Sequence, residues 1–292
     1  MWKHGSQDTD NYDGGLLRVH PELDPAAATL PTRLAVVATI MPELVAAAAA
    51  KAIAEWGRPA RDITHLVFST PSSVQVPAID LRVASLLGLS PTVQLTVMCS
   101  HGCTAKDIAE NNRGARILVA CADILSVLGS HVPDDARPGG IIAHALFGDG
   151  TGAVVVGADP QEPIERPVFE MVSASQATVL GTEHVVAVEP TKGGTDYRIE
   201  PAELMALPGA LGLELGKLAA SRLVLSEYGN MIGPTLIFVL DEVIRRRQQN
   251  HEDRSCKWGF MVGLGPGFTI EVMTLHACSD KSTPTPRLKS AL

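Results

Sequence analysis

The run from Thr92 to Asp123 restricts the fold more than any other part of the chain. "TVQLTVM" (92–98) is rich in β-branched residues, "CTAKDIAENN" (103–112) has helical spacing, and "ARILVACAD" (115–123) is again strand-like. Between Met98 and Ile117 lie 18 residues. That is too long for a hairpin turn and long enough for a crossover, which needs about a dozen. The pattern predicts a parallel βαβ unit, and with it an α/β fold.

The flanking segments continue the alternation. "ITHLVFST" (63–70) reads as a buried strand and "AIDLRVASLLGL" (78–89) as a helix. "PELVAAAAAKAIAEWG" (42–57) predicts a helix with Pro42 and Glu43 in its first turn and Gly57 at its end. "HALFGDGTGAVVVGADP" (144–160) reads as a glycine-rich turn feeding a strand. "PVFEMVSASQATVL" (167–180) opens a second half with two weak strand signals and a glycine turn after it. A helical stretch broken near Gly229 and Gly233 follows, then strand, glycine loop and strand over 256–277. The expected division is a loose tail at 1–30, halves at 31–160 and 161–280, and a frayed end at 281–292. Alternating elements in both halves favour largely buried sheets.

Charge and composition remove several function classes. A net charge of -8 and a pI near 5.6 give a polyanion nothing to bind, and 4% aromatic residues leave few platforms for stacking bases. No nucleic-acid partner is expected. "MWKHGSQDTDNYDGG" has no apolar core of a secretory signal. The greasiest stretch, "LAVVATIMPELVAAAAAKAIAEW", is interrupted by Pro42, Glu43 and Lys51, so no membrane span is expected. Five cysteines, an odd number, suit free thiols in a reducing compartment, so the expected location is cytoplasmic.

Cys99 and Cys103 bracket His101. A C-x3-C pair supplies two of the four ligands a structural zinc needs, and no second pair lies nearby, so no metal is expected. Cys103 sits where a strand turns into a helix, a place where the helix dipole favours thiolate. Cys99 is expected to pack inward. From position alone, Cys103 is as well described by a buried inert thiol as by a nucleophile. "GDGTG" (148–152) and "GLGPG" (263–267) lack the spacing of nucleotide-binding loops and read as structural turns. In "SEYGNM" (226–231), Asn230 either caps a helix or aims its amide at a substrate oxygen.

Seven segments occur in one order: "KAIAEWGRPARDITHLVFST", "LLGLSPTVQL", "GC" at 102–103, "AENNRGARILVAC", "ALFGDGTGAVVVGADP", "LSEYGNM" and "GLGPGFTIEVMTL". Together they resemble the plant type III polyketide synthases, the chalcone and stilbene synthase family, over about residues 40–278. The resemblance implies a thiolase-like layered αβαβα fold of two related halves, here incomplete, in a homodimer. It implies an acyltransferase that loads a starter acyl-CoA, of hydroxycinnamoyl or fatty type, onto cysteine and extends it with malonyl-CoA, as in flavonoid-type polyketide synthesis. Cys103 is then the nucleophile, and Asn230 holds the thioester oxygen and the enolate. Phe147 is the aromatic gate, and Gly263, Gly265, Pro266 and Gly267 shape the cyclisation pocket. CoA thioesters are substrates, and no cofactor is implied.

The chain also departs from that pattern. The family's third catalytic residue, a histidine in an HPGG-like motif, has no counterpart here, so a block before "LSEYGNM" is expected to be missing. About two helical turns are absent after Cys103. The basic residues of the family's first portion are represented only by Lys3, Arg18, His4 and His20. Leu125, Leu128, Val76 and Ile232 stand where the family often has threonines, a methionine and a serine. His101 and His144 are candidate substitutes for the absent imidazole. These departures carry two alternatives: an impaired or inactive homologue acting as a truncated product or dimer partner, and a thioesterase using the cysteine alone.

Overall fold

In the computed structural model, which describes residues 2–4, 19–24, 27–73, 75–98, 104–129, 145–199, 212–249 and 256–278, the first long helix is α1, Leu30–Trp56. It begins twelve residues ahead of the expected Pro42. Thr29 supplies the N-cap, accepting from the Thr32 N–H at 3.4 Å, and Pro31 occupies the first turn. Pro42 lies inside the helix and is buried. An interior proline costs about 3 kcal/mol. Burial of Val37, Met41, Val45 and Ala49 along the same face offsets that cost. Gly57, with φ of 85°, ends α1 where the sequence predicts. By length and composition alone α1 passes for a membrane span, but half of its most apolar window is buried in the fold, as in a core helix.

The strands of the first sheet are β1 (Trp2–His4), β2 (His65–Ser69), β3 (Gln94–Met98), β4 (Arg116–Asp123) and β5 (Gly150–Gly157). Their order is β1-β5-β4-β2-β3. β2 is parallel to both β3 and β4, whereas β4–β5 and β1–β5 are antiparallel. The predicted crossover from β3 to β4 is therefore present and parallel, with β2 lying between the two strands. Helix α2 (Ile79–Leu87) connects β2 to β3, and α3 (Thr104–Asn111) connects β3 to β4. Within the stretch 1–30 expected to be loose, β1 is an edge strand and Leu23 is buried in the core.

Two layers of helix sandwich this sheet. On one face α1 and α2 pack on Leu66, Phe68, Leu118 and Ala120. On the other, Ala105 and Ala109 of α3 pack on Val67 and Ile117. That second face also receives α6 (Gly233–Gln249). Gly152 of β5 makes the approach possible, because a Cβ there would lie 2.9 Å from the Ile237 side chain. A short α4 (Leu125–Leu128) follows β4, and α5 (Ala219–Tyr228) precedes α6.

The second half contributes β6 (Phe169–Thr178), the hairpin β7–β8 (Val186–Pro190 and Thr195–Ile199), β9 (Trp258–Gly265) and β10 (Thr269–Ala277). β6, β10 and β9 form a three-stranded antiparallel sheet in that order. Its inner face meets α6, where an added Cβ at Gly263 would touch Leu236 at 3.4 Å. Its outer face corrects the expectation of largely buried sheets: Trp258, Phe260 and Leu264 alternate along β9 and are 56%, 72% and 41% exposed. The described residues thus build a mixed α/β architecture of helix, sheet, helix and sheet layers, consistent with the thiolase-like family.

The two sheets share a plan. α6, β9, β10 and β6 repeat the order and directions of α3, β4, β5 and β1. Where β2 and β3 continue the first sheet beyond β4, no described strand pairs with the other edge of β9.

Candidate active site

The turn carrying Asn230 joins the two halves. Phe147 and Asn230 face one another in a parallel β-bridge. The Asn230 N–H donates to the Leu146 carbonyl at 2.7 Å, and the Gly148 N–H donates to the Asn230 carbonyl at 3.0 Å. This close approach needs glycine on both sides. A Cβ on Gly148 would collide with the Tyr228 carbonyl oxygen, and one on Gly229 would lie 2.8 Å from the Leu146 carbonyl oxygen. Gly229 also has φ of 65°, where a side chain is disfavoured. "ALFGDG" and "SEYGNM" therefore depend on each other, although 82 residues lie between Phe147 and Asn230.

The Phe147 ring packs on Tyr197, with centroids 4.8 Å apart and planes tilted by 52°. Leu125 and Ile232 complete this apolar cluster. Leu125 is buried here and Leu128 lies in the main core, so neither projects freely into a cavity. Val76 is 95% exposed.

The side chain of Asn230 is held at its carbonyl end. Oδ1 accepts the Ile232 N–H at 2.9 Å and lies 3.4 Å from Thr235 Oγ1. Ile232 has φ of 55°, a left-handed conformation that a β-branched residue adopts only under constraint. Gly233 then opens α6, and its N–H donates to Asp123 Oδ2 at 3.2 Å.

Asp123 ends β4 and is fully buried. Its other oxygen is 3.2 Å from Ser72 Oγ and 3.5 Å from Thr70 Oγ1. Burial pushes this carboxyl well above the usual carboxylate range, against the Gly233, Ser72 and Thr70 hydrogen bonds, and the negative Asp149 adds to the rise. Asp149 lies two residues after Phe147 and receives both the N–H and the hydroxyl of Ser126. Burial raises its pKa as well. Cys121, on the same face of β4, is pushed up to about 12 by burial and by Asp123, so it is an inert thiol.

The carboxyl ends of the three parallel strands converge at this place. The Thr70 N–H, just past β2, donates to the carbonyl of Met98, the last residue of β3, at 3.0 Å. Hydrogen bonds thus lead from Met98 through Thr70 and Asp123 to Gly233. Cys103 follows Met98 by five residues and directly precedes Thr104, the first residue of α3. Cys103, Cys99, His101, His144 and Arg18 lie outside the described residues. Gly263, Gly265, Pro266 and Gly267 end β9 and form its turn into β10. The Gly267 N–H donates to the Val186 carbonyl at 3.3 Å, which ties this turn to β7. Among the described residues no group of three or more His, Cys, Asp or Glu is arranged to hold a metal ion.

Sequence reasoning singled out Phe147 and Asn230 but not Asp123, Asp149, Tyr197 or Thr235. An aspartate closing an otherwise apolar strand, as in "RILVACAD", is the signal that marks Asp123.

Comparison with known proteins gives the family. Residues 12–160 match the family model described as chalcone and stilbene synthases, N-terminal domain, and residues 199–279 match the C-terminal domain of the same family. A similar protein is the bisdemethoxycurcumin synthase of Oryza sativa subsp. japonica, 41% identical over 318 residues that cover 90% of this chain and 78% of the relative. The two family domains and this relative place the chain in the chalcone and stilbene synthase family, and it belongs there as a type III polyketide synthase-like protein.

Proposed function

We propose that the chain is an acyltransferase that condenses a hydroxycinnamoyl-type acyl-CoA with malonyl-CoA through a thioester on Cys103. The Cys103 thiolate attacks the starter carbonyl and expels CoA as its thiolate. Loss of CO2 from malonyl-CoA leaves an acetyl-CoA enolate, which attacks the bound thioester carbonyl, breaks its C–S bond, frees Cys103 as the thiolate and leaves the lengthened chain on CoA. Asn230 donates its amide N–H to the oxygen that carries the developing charge. Phe147 covers the reacting carbon, and Gly263, Gly265, Pro266 and Gly267 bound the space in which the product folds. The working form is a cytoplasmic homodimer with halves at 31–160 and 161–280.

The observation that carries this reading is the convergence of the Met98, Thr70, Asp123 and Gly233 hydrogen bonds. It puts the end of the strand leading to Cys103 and the turn holding Asn230 at the carboxyl end of the same parallel strands. Ligands of open α/β sheets bind at the carboxyl ends of parallel strands. Membership in the chalcone and stilbene synthase family supports a hydroxycinnamoyl-type starter.

A second reading, an impaired homologue serving as a truncated product or dimer partner, is favoured by two observations. Among the described residues no strand pairs with the edge of β9 that corresponds to the place where the first sheet continues with β2 and β3. The alignment with the rice relative runs over 318 residues, more than the 292 of this chain, so the relative has segments without a counterpart here. Loss of the histidine removes a thiolate partner and an enolate donor, and each such donor contributes roughly 10²–10³ in rate.

Iodoacetamide labelling of Cys103 across pH, with release of labelled CO2 from malonyl-CoA, separates the readings. A Cys103 pKa well below about 8.5 with CO2 release and a polyketide product supports the acyltransferase. An ordinary thiol pKa without CO2 release leaves the impaired homologue. Release of CoA from acyl-CoA without malonyl-CoA consumption identifies a thioesterase.

A further inference from the structure

An asparagine stabilises an oxyanion only through its Nδ2 hydrogens, yet its two amide ends are nearly equal in size and either one can face outward. In this turn the choice is made by the Ile232 N–H together with Thr235 in the first turn of α6. The Met231 N–H donates to Thr235 Oγ1 at 2.8 Å, which occupies an acceptor site of that hydroxyl and leaves its single proton to give away. The nearest acceptor on this path is Asn230 Oδ1 at 3.4 Å, which also takes the Ile232 N–H at 2.9 Å. The Ile232 N–H can only donate, so an NH2 turned toward it would meet a hydrogen, and the Thr235 hydroxyl, with one lone pair taken by Met231, adds its proton on the same side. The Met231 contact also closes the turn around Ile232, whose φ of 55° persists only while its surroundings hold it.

We propose that Thr235 is a positioning residue that presents Asn230 to the substrate NH2-first, by accepting the Met231 N–H and offering its own proton to Asn230 Oδ1. The proposal rests on the reading of Asn230 as an oxyanion donor and adds what fixes its direction. Thr235 itself touches no reacting atom.

The test uses the full chain labelled with nitrogen-15, with the Asn230 side-chain amide pair assigned by its loss in Asn230→Ala. The wild type and Thr235→Ser, which keeps the hydroxyl, are expected to show one dispersed Asn230 NH2 pair. Thr235→Val, nearly the same shape without the hydroxyl, is expected to move that pair to the averaged position of unbound amides or broaden it away. Thr235→Ala serves if the valine variant does not fold. In malonyl-CoA decarboxylation the hydroxyl-less variants are expected to lose about tenfold in kcat with KM within about twofold, and Thr235→Ser to restore it. An Asn230 amide signal unchanged in Thr235→Val or Thr235→Ala overturns the proposal. A wild type that releases no CO2 overturns the acyltransferase reading instead, while the amide signal still decides the role of Thr235.

Discussion

At the scale of single residues, burial separates the thiols. Cys121 is buried with its pKa pushed up to about 12, whereas Cys256 is exposed. Native protein treated with iodoacetamide near neutral pH is expected to carry the label on Cys256, and Cys121 is expected to react only after denaturation, as read by peptide mass spectrometry. Labelling of Cys103 is therefore best followed in a Cys256→Ser background. Asp123 yields a pH prediction. Its folded pKa is raised, so it favours the folded state while protonated. That contribution is complete below the ordinary value of 3.8 and is lost as pH rises toward the folded value. Asp123→Asn stays neutral throughout and can still accept the Gly233 N–H. Its Tm is expected to exceed that of the wild type by a few degrees near neutral pH, with the gain fading as pH falls toward 3.8.

At the scale of elements, one buried carboxylate ties its own loop to the end of α1 and the start of β4. Glu165 receives Arg116 Nε at 2.6 Å from the start of β4, the Trp56 indole at 2.9 Å from the end of α1, Arg58 at 3.1 Å and the Gln161 N–H at 2.7 Å. Burial alone would raise this carboxyl, but the Arg116, Gln161 and Trp56 hydrogen bonds outweigh it and hold the pKa down to about 2. The clamp is therefore fully present above 4.5, the ordinary value, and is lost as pH falls through about 2. Glu165→Gln is expected to cost about 3–5 kcal/mol at neutral pH, because it leaves Arg116 buried without its charge partner. The difference from wild type in urea midpoints is expected to shrink across that acid window. The bridge between Phe147 and Asn230 is similarly exposed to one atom. Gly148→Ala forces a Cβ onto the Tyr228 carbonyl and is expected to cost roughly 1–3 kcal/mol.

Most of these elements are legible in the sequence because their periodicity is local: "HLVFS", "RILVACAD" and the helical run before Asn112 declare themselves within a few residues. The start of α1 is not, since Pro42 imitates a helix start and only packing on the sheet lets a proline stay inside. Phe147 and Asn230 were recognisable by family resemblance. What holds them was not. Asp123 and Gly233 are 110 residues apart and meet through a convergence of strand ends that no local pattern encodes.

At the scale of the whole molecule, the described strands pair both edges of β4 in the first sheet and only one edge of β9 in the second. β4 is paired on both sides, by β2 and β5. β9 is paired only with β10 among the described strands. Hydrogen exchange is expected to report the contrast: amides of β4 slow throughout, and every second amide of β9 fast. Uniform protection along β9 would mean that its outer edge is covered. The stretch Trp258–Gly265, "WGFMVGLG", contains no charge and no proline, the devices by which natural sheets blunt an edge. Such a rim is a template on which another extended chain can lie down, bond after bond, without any change in the rest of the fold. Concentration then limits how long purified stocks stay clear. Light scattering is expected to climb with protein concentration, and a lysine placed on the rim by Val262→Lys to suppress it.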